Sequence, residues 1–414
     1  MSSINRVCGR MALAWALAAM LPAGAAWAQT APKPMTLAEA LELASASSPS
    51  VGIADAQVDA ARGRQRQAGA GINPELSYNV ENFSGKGALR GMDGAESTLG
   101  LSQQIELGGK REARRDTAGR EADAVVVRSR ITRADLDFAV RDRFADLSAA
   151  EELLELARTS ADRANRLSSV AQSLVDAGRE PPLRLLRAQA QQAAAQAQLN
   201  IATAELGAAQ RALAALWGGS QDLVDAMGPW EFRRENDALN TAPTDTLDYQ
   251  VAVAEHEATE AALRLQKANA WVDVTVNAGY RRFEATKESA WVAGVSVPIP
   301  IQNMNGGAIA AARADDRASE LQLNVTLIDA VRKLNDARSA FEAADSRAAA
   351  LENQAVRQAE EALNLAQIGY EAGRFQLIDV LDAEDAFSSI RTAAIEARLA
   401  RAKAAAALIR ANAR

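Results

Sequence analysis

The sequence predicts a mainly α chain with a small β part: a duplicated plan of long coiled-coil helices plus four strands. Three observations carry that expectation. One helix–strand–strand–long helix–helix plan occurs twice, with landmarks 195 residues apart. Apolar residues recur every seven positions through two very long helical stretches. Four segments of about ten residues alternate apolar and polar side chains, the pattern of a sheet wet on one side and apolar on the other.

The chain has 414 residues, and its first segment stands apart from the repeat. Arg6 and Arg10 are followed by an apolar run from Met11 to Leu21 and by Ala26-Trp27-Ala28, a small-residue cleavage pattern. Residues 1–28 are therefore expected to be a signal peptide, leaving Gln29 first. Its loss takes the formal charge from -7 to -9, because Arg6 and Arg10 go with it. The single cysteine, Cys8, precedes the apolar run, whereas a lipidated cysteine would follow it. The mature chain is expected to be unlipidated, without disulfides or a thiolate metal site. No later run of about 18 uncharged apolar residues exists, so any membrane crossing must use strands.

Residues 29–217 form the first repeat. It is expected to contain a helix near Thr36 to Gly69, alternating segments at Leu76–Phe83 and Glu96–Leu107, and a long helix from Lys110 to about Val175. The helix breaks at Ala177-Gly178-Arg179, before Pro181 and Pro182, and a shorter one runs from Leu183 to Trp217. Residues 218–243 are rich in turn formers and read as a connecting segment with small elements of its own. Residues 244–414 repeat the plan. A helix near Thr246 to Ala270 precedes alternating segments at Val272–Phe283 and Ala290–Ile299. A long helix over Ala308–Ile368, a break at Ala372-Gly373-Arg374 and a last helix to Ala411 complete it. Gly178-Arg179 and Gly373-Arg374 differ by 195 residues, as do Leu186-Arg187-Ala188-Gln189 and Leu381-Asp382-Ala383-Glu384.

In the first long helix Leu147, Leu154, Ala161, Ser168 and Val175 are seven apart, with Ala150, Ala157, Ala164 and Ala171 between them. In the second, Leu334, Phe341, Ala348, Ala355 and Ala362 alternate with Ala337, Ala344, Leu351, Gln358 and Leu365. Sustained heptads predict coiled-coil packing. Roughly 65 residues at 1.5 Å each span about 100 Å, beyond the core of an ordinary bundle.

In the strands, Val272, Val274, Val276 and Ala278 share one face and Asp273, Thr275, Asn277 and Gly279 the other. Trp291, Ala293, Val295, Val297 and Ile299 alternate in the same way, as do Leu99, Leu101, Ile105 and Leu107 against Thr98, Gly100, Ser102 and Gln104. A membrane barrel leaves no open edge in lipid and needs about eight strands at least, so four strands must be shared among several chains. The polar loops around Gly85–Gly94 and Glu284–Ser289 would then face outward.

Composition and motifs exclude several functions. A net charge of -7 offers no basic field for nucleic acid. Neither a nucleophile–base grouping nor a phosphate loop occurs, and Gly108-Gly109-Lys110 lacks the Walker spacing. The one histidine, His256, has Glu255 and Glu257 as chain neighbours, and adjacent helical residues do not face one another. It reads as a solvated side chain, so no catalytic, cofactor or metal residue is assigned.

The plan resembles the TolC-like outer-membrane efflux family over essentially the whole mature chain. Gln104-Ile105-Glu106-Leu107-Gly108-Gly109-Lys110-Arg111 is similar to the strand-to-helix junction of its heavy-metal (CzcC-like) branch. The run from Gly369 through Tyr370, Gly373, Arg374, Asp379 and Asp382 to Ala383 resembles the turn at the periplasmic tip of the tunnel. The resemblance implies a homotrimer in which each chain gives four strands to a twelve-stranded barrel in outer-membrane lipid and long helices to a periplasmic tunnel. It implies a passive duct served by a periplasmic adaptor and an inner-membrane RND-type pump, with no cofactor and with heavy-metal cations as cargo. It also implies that Asp379 and Asp382 line the constricted entrance, and that Tyr370 and Arg374 help hold it closed. Phe375 stands where the family's gate arginine usually lies, and Leu183 and Arg187 replace Ile378 and Asp382 in the first repeat. A multidrug or type I secretion duct of the same fold is an alternative. A periplasmic coiled-coil adaptor is another, but it would need lipoyl-like and β-barrel domains flanking a single hairpin.

Overall fold

The structure, a computed structural model, describes residues 33–219, 224–226 and 241–414. The expected signal peptide lies outside the described residues, as does most of the connecting segment.

The first repeat begins with β1 (Lys33–Met35), α1 (Leu37–Ser47) and α2 (Pro49–Ala68). Thr36 caps α1 through a reciprocal box with Glu39. The single helix expected over Thr36–Gly69 is two, because Pro49 has no N–H to continue α1 and starts α2 instead. Strands β2 (Glu75–Glu81) and β3 (Glu96–Ile105) lead into α3 (Lys110–Asp176) and α4 (Pro182–Ala214). Within the connecting segment β4 (Val224–Ala226) pairs in parallel with β1. The second repeat comprises α5 (Leu247–Ala268), β5 (Val274–Phe283), β6 (Ser289–Ser296), α6 (Gly306–Ala350), α7 (Val356–Glu371) and α8 (Leu377–Ala411). Strand β6 stops before the expected Ile299, where Pro298 and Pro300 lack ladder donors. No described helix is long and apolar enough to cross a membrane.

The heptad of α3 is buried as its spacing predicts. Leu147, Leu154, Ala161 and Ser168 are all buried, and so are Ala150, Ala157, Ala164 and Ala171. Small side chains let helices approach closely, so burial here gains contact rather than volume. The main core lies midway along α3, where Val140, Phe144 and Leu147 pack with Leu213, Trp217 and Ile395.

The heptad of the second long helix changes register. Leu334, Phe341 and Ala348 are buried in α6. A π-helical turn at Leu351–Ala355 then separates α6 from α7. One extra residue in that turn rotates everything beyond it by one position. The buried residues become Val356, Ala359, Leu363 and Ala366, while the expected Gln358, Ala362 and Leu365 face solvent. From α8, Arg398 bridges Glu352 of this turn and Glu152 of α3.

The four long strands form one antiparallel sheet in the order β2-β3-β5-β6. Its register stacks Leu76, Leu101, Ala278 and Ala293 in one row and Tyr78, Leu99, Tyr280 and Trp291 in the next. This face is exposed: Trp291 is 83% accessible and Val295 68%. The opposite face is polar, with Arg281 against Glu96 at 3.1 Å and Thr98 at 3.0 Å. One apolar and one polar face, kept in register across all four strands, is the arrangement of a membrane barrel wall.

Candidate functional site

The two helical turns farthest along the chain from the strands are built alike. At the end of α3, Gly178 has a φ of 69°. Its N–H donates to Val175 O at 2.9 Å and that of Arg179 to Leu174 O at 2.9 Å. At the end of α7, Gly373 has a φ of 70°, and the N–H groups of Gly373 and Arg374 donate to Tyr370 O at 2.9 Å and Gly369 O at 2.8 Å. Both are Schellman stops, whose left-handed residue favours glycine. In the second turn the Phe375 ring lies over Gly369, where a Cβ would come within 2.2 Å of it. Pro182 starts α4, whereas Gln376 and Asp379 start α8 through a reciprocal capping box.

The four residues assigned to the gate fall into two groups. Asp379 and Asp382 are exposed on the first turns of α8, three residues apart and so on one face. Asp379 also accepts the Gln376 N–H at 2.8 Å, so its carboxylate closes the cap as well as charging the surface. Tyr370 is half-buried against the cluster of Ala171, Ala188, Leu377 and Leu381, which ties α7 to α3 and α4 of the first repeat and to α8. Burial, reinforced by Glu180, pushes its hydroxyl above the ordinary tyrosine range. Arg374 is exposed, and its backbone completes the Schellman stop. Within one chain no hydrogen bond or ion pair among the described residues joins either aspartate to Tyr370 or Arg374.

What fastens the two turns together was not assigned from sequence. Arg184 of α4 pairs with Glu180 at 2.6 Å and donates to Gln376 Oε1 at 3.0 Å. Further in, buried Glu384 accepts from Arg163 at 3.0 Å, and the same guanidinium sits 5.3 Å from the centre of the Phe387 ring. One signal was available. Glu384 ends the Leu381–Glu384 run that matches Leu186–Gln189, and of the two acidic differences in that run, Asp382 and Glu384, it is Glu384 that falls on a buried position.

The Gln104–Arg111 motif is a joint at the opposite end of the long helices. Asp273, just before β5, accepts from Lys110 at 2.7 Å, Gln104 at 3.0 Å and the Leu107 N–H at 3.2 Å. Glu106 takes Arg114 through both oxygens, at 2.6 and 3.1 Å. Arg111 and Arg114 also cap the end of α2 by donating to Gly69 O and Ala68 O. Gly108 has a φ of 70°, and a Cβ there would come within 2.4 Å of the Trp271 ring. The motif's polar side chains thus fix the angle between sheet and helix.

A wall with one lipid-compatible face, helices far longer than a domain core and a duplicated turn whose second copy alone carries the exposed acids Asp379 and Asp382 form a conduit, not a catalytic pocket. The family model described as outer membrane efflux protein matches residues 40–219 and 239–414. The chain belongs to the outer membrane efflux protein family. It is the outer-membrane channel component of an efflux system, a passive duct and not an enzyme, and the adaptor alternative falls. Such channels work in tripartite systems with adaptor and pump partners. The chain is 32% identical over 362 residues to the cobalt-zinc-cadmium resistance protein CzcC of Cupriavidus metallidurans, covering 85% of this chain and 83% of that one. It is 30% identical to the nickel-cobalt-cadmium resistance protein NccC of Alcaligenes xylosoxydans xylosoxydans, covering 67% of this chain and 64% of that protein. The crystal structure of the outer membrane protein VceC from Vibrio cholerae superposes with a TM-score of 0.75 at 23% identity, covering 91% of this chain and 96% of that one. At that identity the likeness shows the fold alone.

Proposed function

We propose that three copies of the mature, unlipidated chain form one duct that exports divalent heavy-metal cations. Cleavage after Ala28 would release each copy for assembly. A periplasmic adaptor and an inner-membrane RND-type pump deliver the cargo. The observation that carries the cargo reading is the 32% identity, over 85% of this chain, to a protein named for cobalt, zinc and cadmium resistance. The open edges of β2 and β6 support a shared barrel, since each has one neighbour and lipid does not tolerate an unpaired edge. In a trimer Asp379 and Asp382 would each recur three times about one axis. Stacked rings of like charge attract cations and repel anions where a pore is narrow. Ion choice between metals would rest with the pump.

Deleting the gene is expected to sensitise cells to zinc, cobalt, cadmium or nickel salts, and the intact gene to restore tolerance. Unchanged metal tolerance with new sensitivity to organic drugs would overturn the cargo reading and leave a multidrug duct.

A further inference from the structure

His256 does not face the residues beside it in the chain. Glu255 and Glu257 turn toward α3, where they pair with Arg128 and, at 2.7 Å, with Arg120. His256 turns the other way, toward α6. There its Nδ1 stands 3.8 Å from Asp316 Oδ1, too far for a hydrogen bond. One turn along α5, Glu260 offers a third donor, and the three ligand atoms all lie within 4.8 Å of one another. The placement follows from the topology. His256 lies twelve residues before the end of α5 and Asp316 ten after the start of α6, so both stand at one level on antiparallel helices.

Two of these atoms are anomalous. His256 Nδ1 and Asp316 Oδ1 are both shielded from solvent, and neither has a hydrogen-bond partner among the described residues. Buried polar atoms are almost always satisfied, so a facing pair of orphans needs an account. A cation placed between them would satisfy both. Ligand atoms around a tetrahedral ion with bonds near 2.0 Å stand about 3.3 Å apart, which small side-chain rotations from the present spacing reach. Glu260 is half-exposed and, among the described residues, otherwise has only Arg264, at 3.9 Å. It is free to complete a face of three ligands, with the remaining positions open to water.

We propose that His256, Glu260 and Asp316 form a divalent-cation site that clips α5 to α6. One imidazole and two carboxylates, with no sulfur, suit a borderline ion such as Zn2+, Co2+ or Ni2+ rather than Cu+. The site would hold a resident ion between two helices. It stands independently of the cargo reading, because a channel for any solute could carry it.

Cobalt is the probe. Full-length mature protein, purified in detergent without a histidine tag, is titrated with Co2+ and followed by visible absorption and equilibrium dialysis. The expected result is one ion per chain, with d–d bands more intense than those of the six-coordinate aqueous ion. His256→Gln and Asp316→Asn are each expected to weaken binding at least about a hundredfold, since outer-shell changes alone cost up to about that. Co2+ is expected to raise the melting temperature of the wild type but not of these variants. The Glu255→Gln/Glu257→Gln double variant is expected to bind like the wild type. If His256→Gln fails to fold, Asp316→Asn and Glu260→Gln carry the same comparison. Wild-type protein that binds no Co2+, site variants that bind as it does, or an equal loss in the Glu255/Glu257 control overturns the proposal.

Discussion

Asp379 has two roles that an alanine substitution would confound. Its carboxylate caps α8 through the Gln376 N–H at 2.8 Å and also charges the exposed face it shares with Asp382. Losing a cap costs about 1 kcal/mol, enough to disturb the turn for reasons unrelated to charge. Asparagine keeps an acceptor for the cap and removes the charge. The Asp379→Asn/Asp382→Asn channel is therefore expected to keep its fold while losing severalfold in cation-over-anion selectivity and in block by trivalent cations. Single-channel recordings read this directly, and selectivity and block equal to wild type would return both residues to plain helix surface. Asp379 and Asp382 were assigned through the likeness of the Gly369–Ala383 turn to the family's tunnel tip, a likeness carried by residues close together in the chain. Arg163 and Glu384 were not paired from sequence because they meet across α3 and α8, and Arg184, whose ion pair with Glu180 is local, reaches the second repeat only through Gln376.

The same division holds for whole elements. Alternation and heptads located the strands and long helices to within a few residues, since both are periodicities of the chain itself. The π turn at Leu351–Ala355 escaped, because no glycine or proline marks it and each flanking stretch keeps a good heptad. Its consequence is the exchange of Leu365 for Leu363 as a buried residue. Contacts between elements also set a pH dependence. Asp248 on α5 is half-buried, which pushes its pKa up, but Lys333 of α6 and Arg410 of α8 outweigh burial and hold it below the usual carboxylate range. A carboxylate whose pKa is depressed by folding stabilises the fold above its unfolded value, about 3.9, and ceases to do so as pH falls through the folded value. Asp248→Asn is thus expected to melt below wild type at neutral pH, with the difference shrinking below about pH 4. Melting midpoints measured against pH test this, and a difference independent of pH would show that the charge is not what matters.

For the molecule as a whole, surfaces left bare in one chain point to copies of itself. The sheet has two open edges and an exposed apolar face. On α6, Leu321, Val325, Ile328 and Val331 are exposed at helical spacing, an apolar stripe with no partner among the described residues. The mature protein in mild detergent is expected to have the mass of three chains by light scattering. Val325→Glu/Ile328→Glu is expected to shift it toward single chains. A monomeric wild type, or recovery as a soluble periplasmic protein, would contradict the shared barrel.

Length, alanine-rich heptads, four alternating segments and the duplicated break at Gly178 and Gly373 by themselves determined the fold class and the element order, and they carried the expectation of a barrel shared by several chains. These rest on interactions within a few residues of one another, or on the rule that lipid admits no open sheet edge. Only the tertiary structure decided how the repeats are joined. It set the register slip in the second coiled coil and turned the Gln104–Arg111 motif into a joint around Asp273. It placed Tyr370 inward and Asp379 outward, and it brought His256 against Asp316, sixty residues away. The reason is the same throughout. A helix face is a property of the chain, but what that face meets depends on how neighbouring helices are rotated and staggered, and one inserted residue is enough to change both.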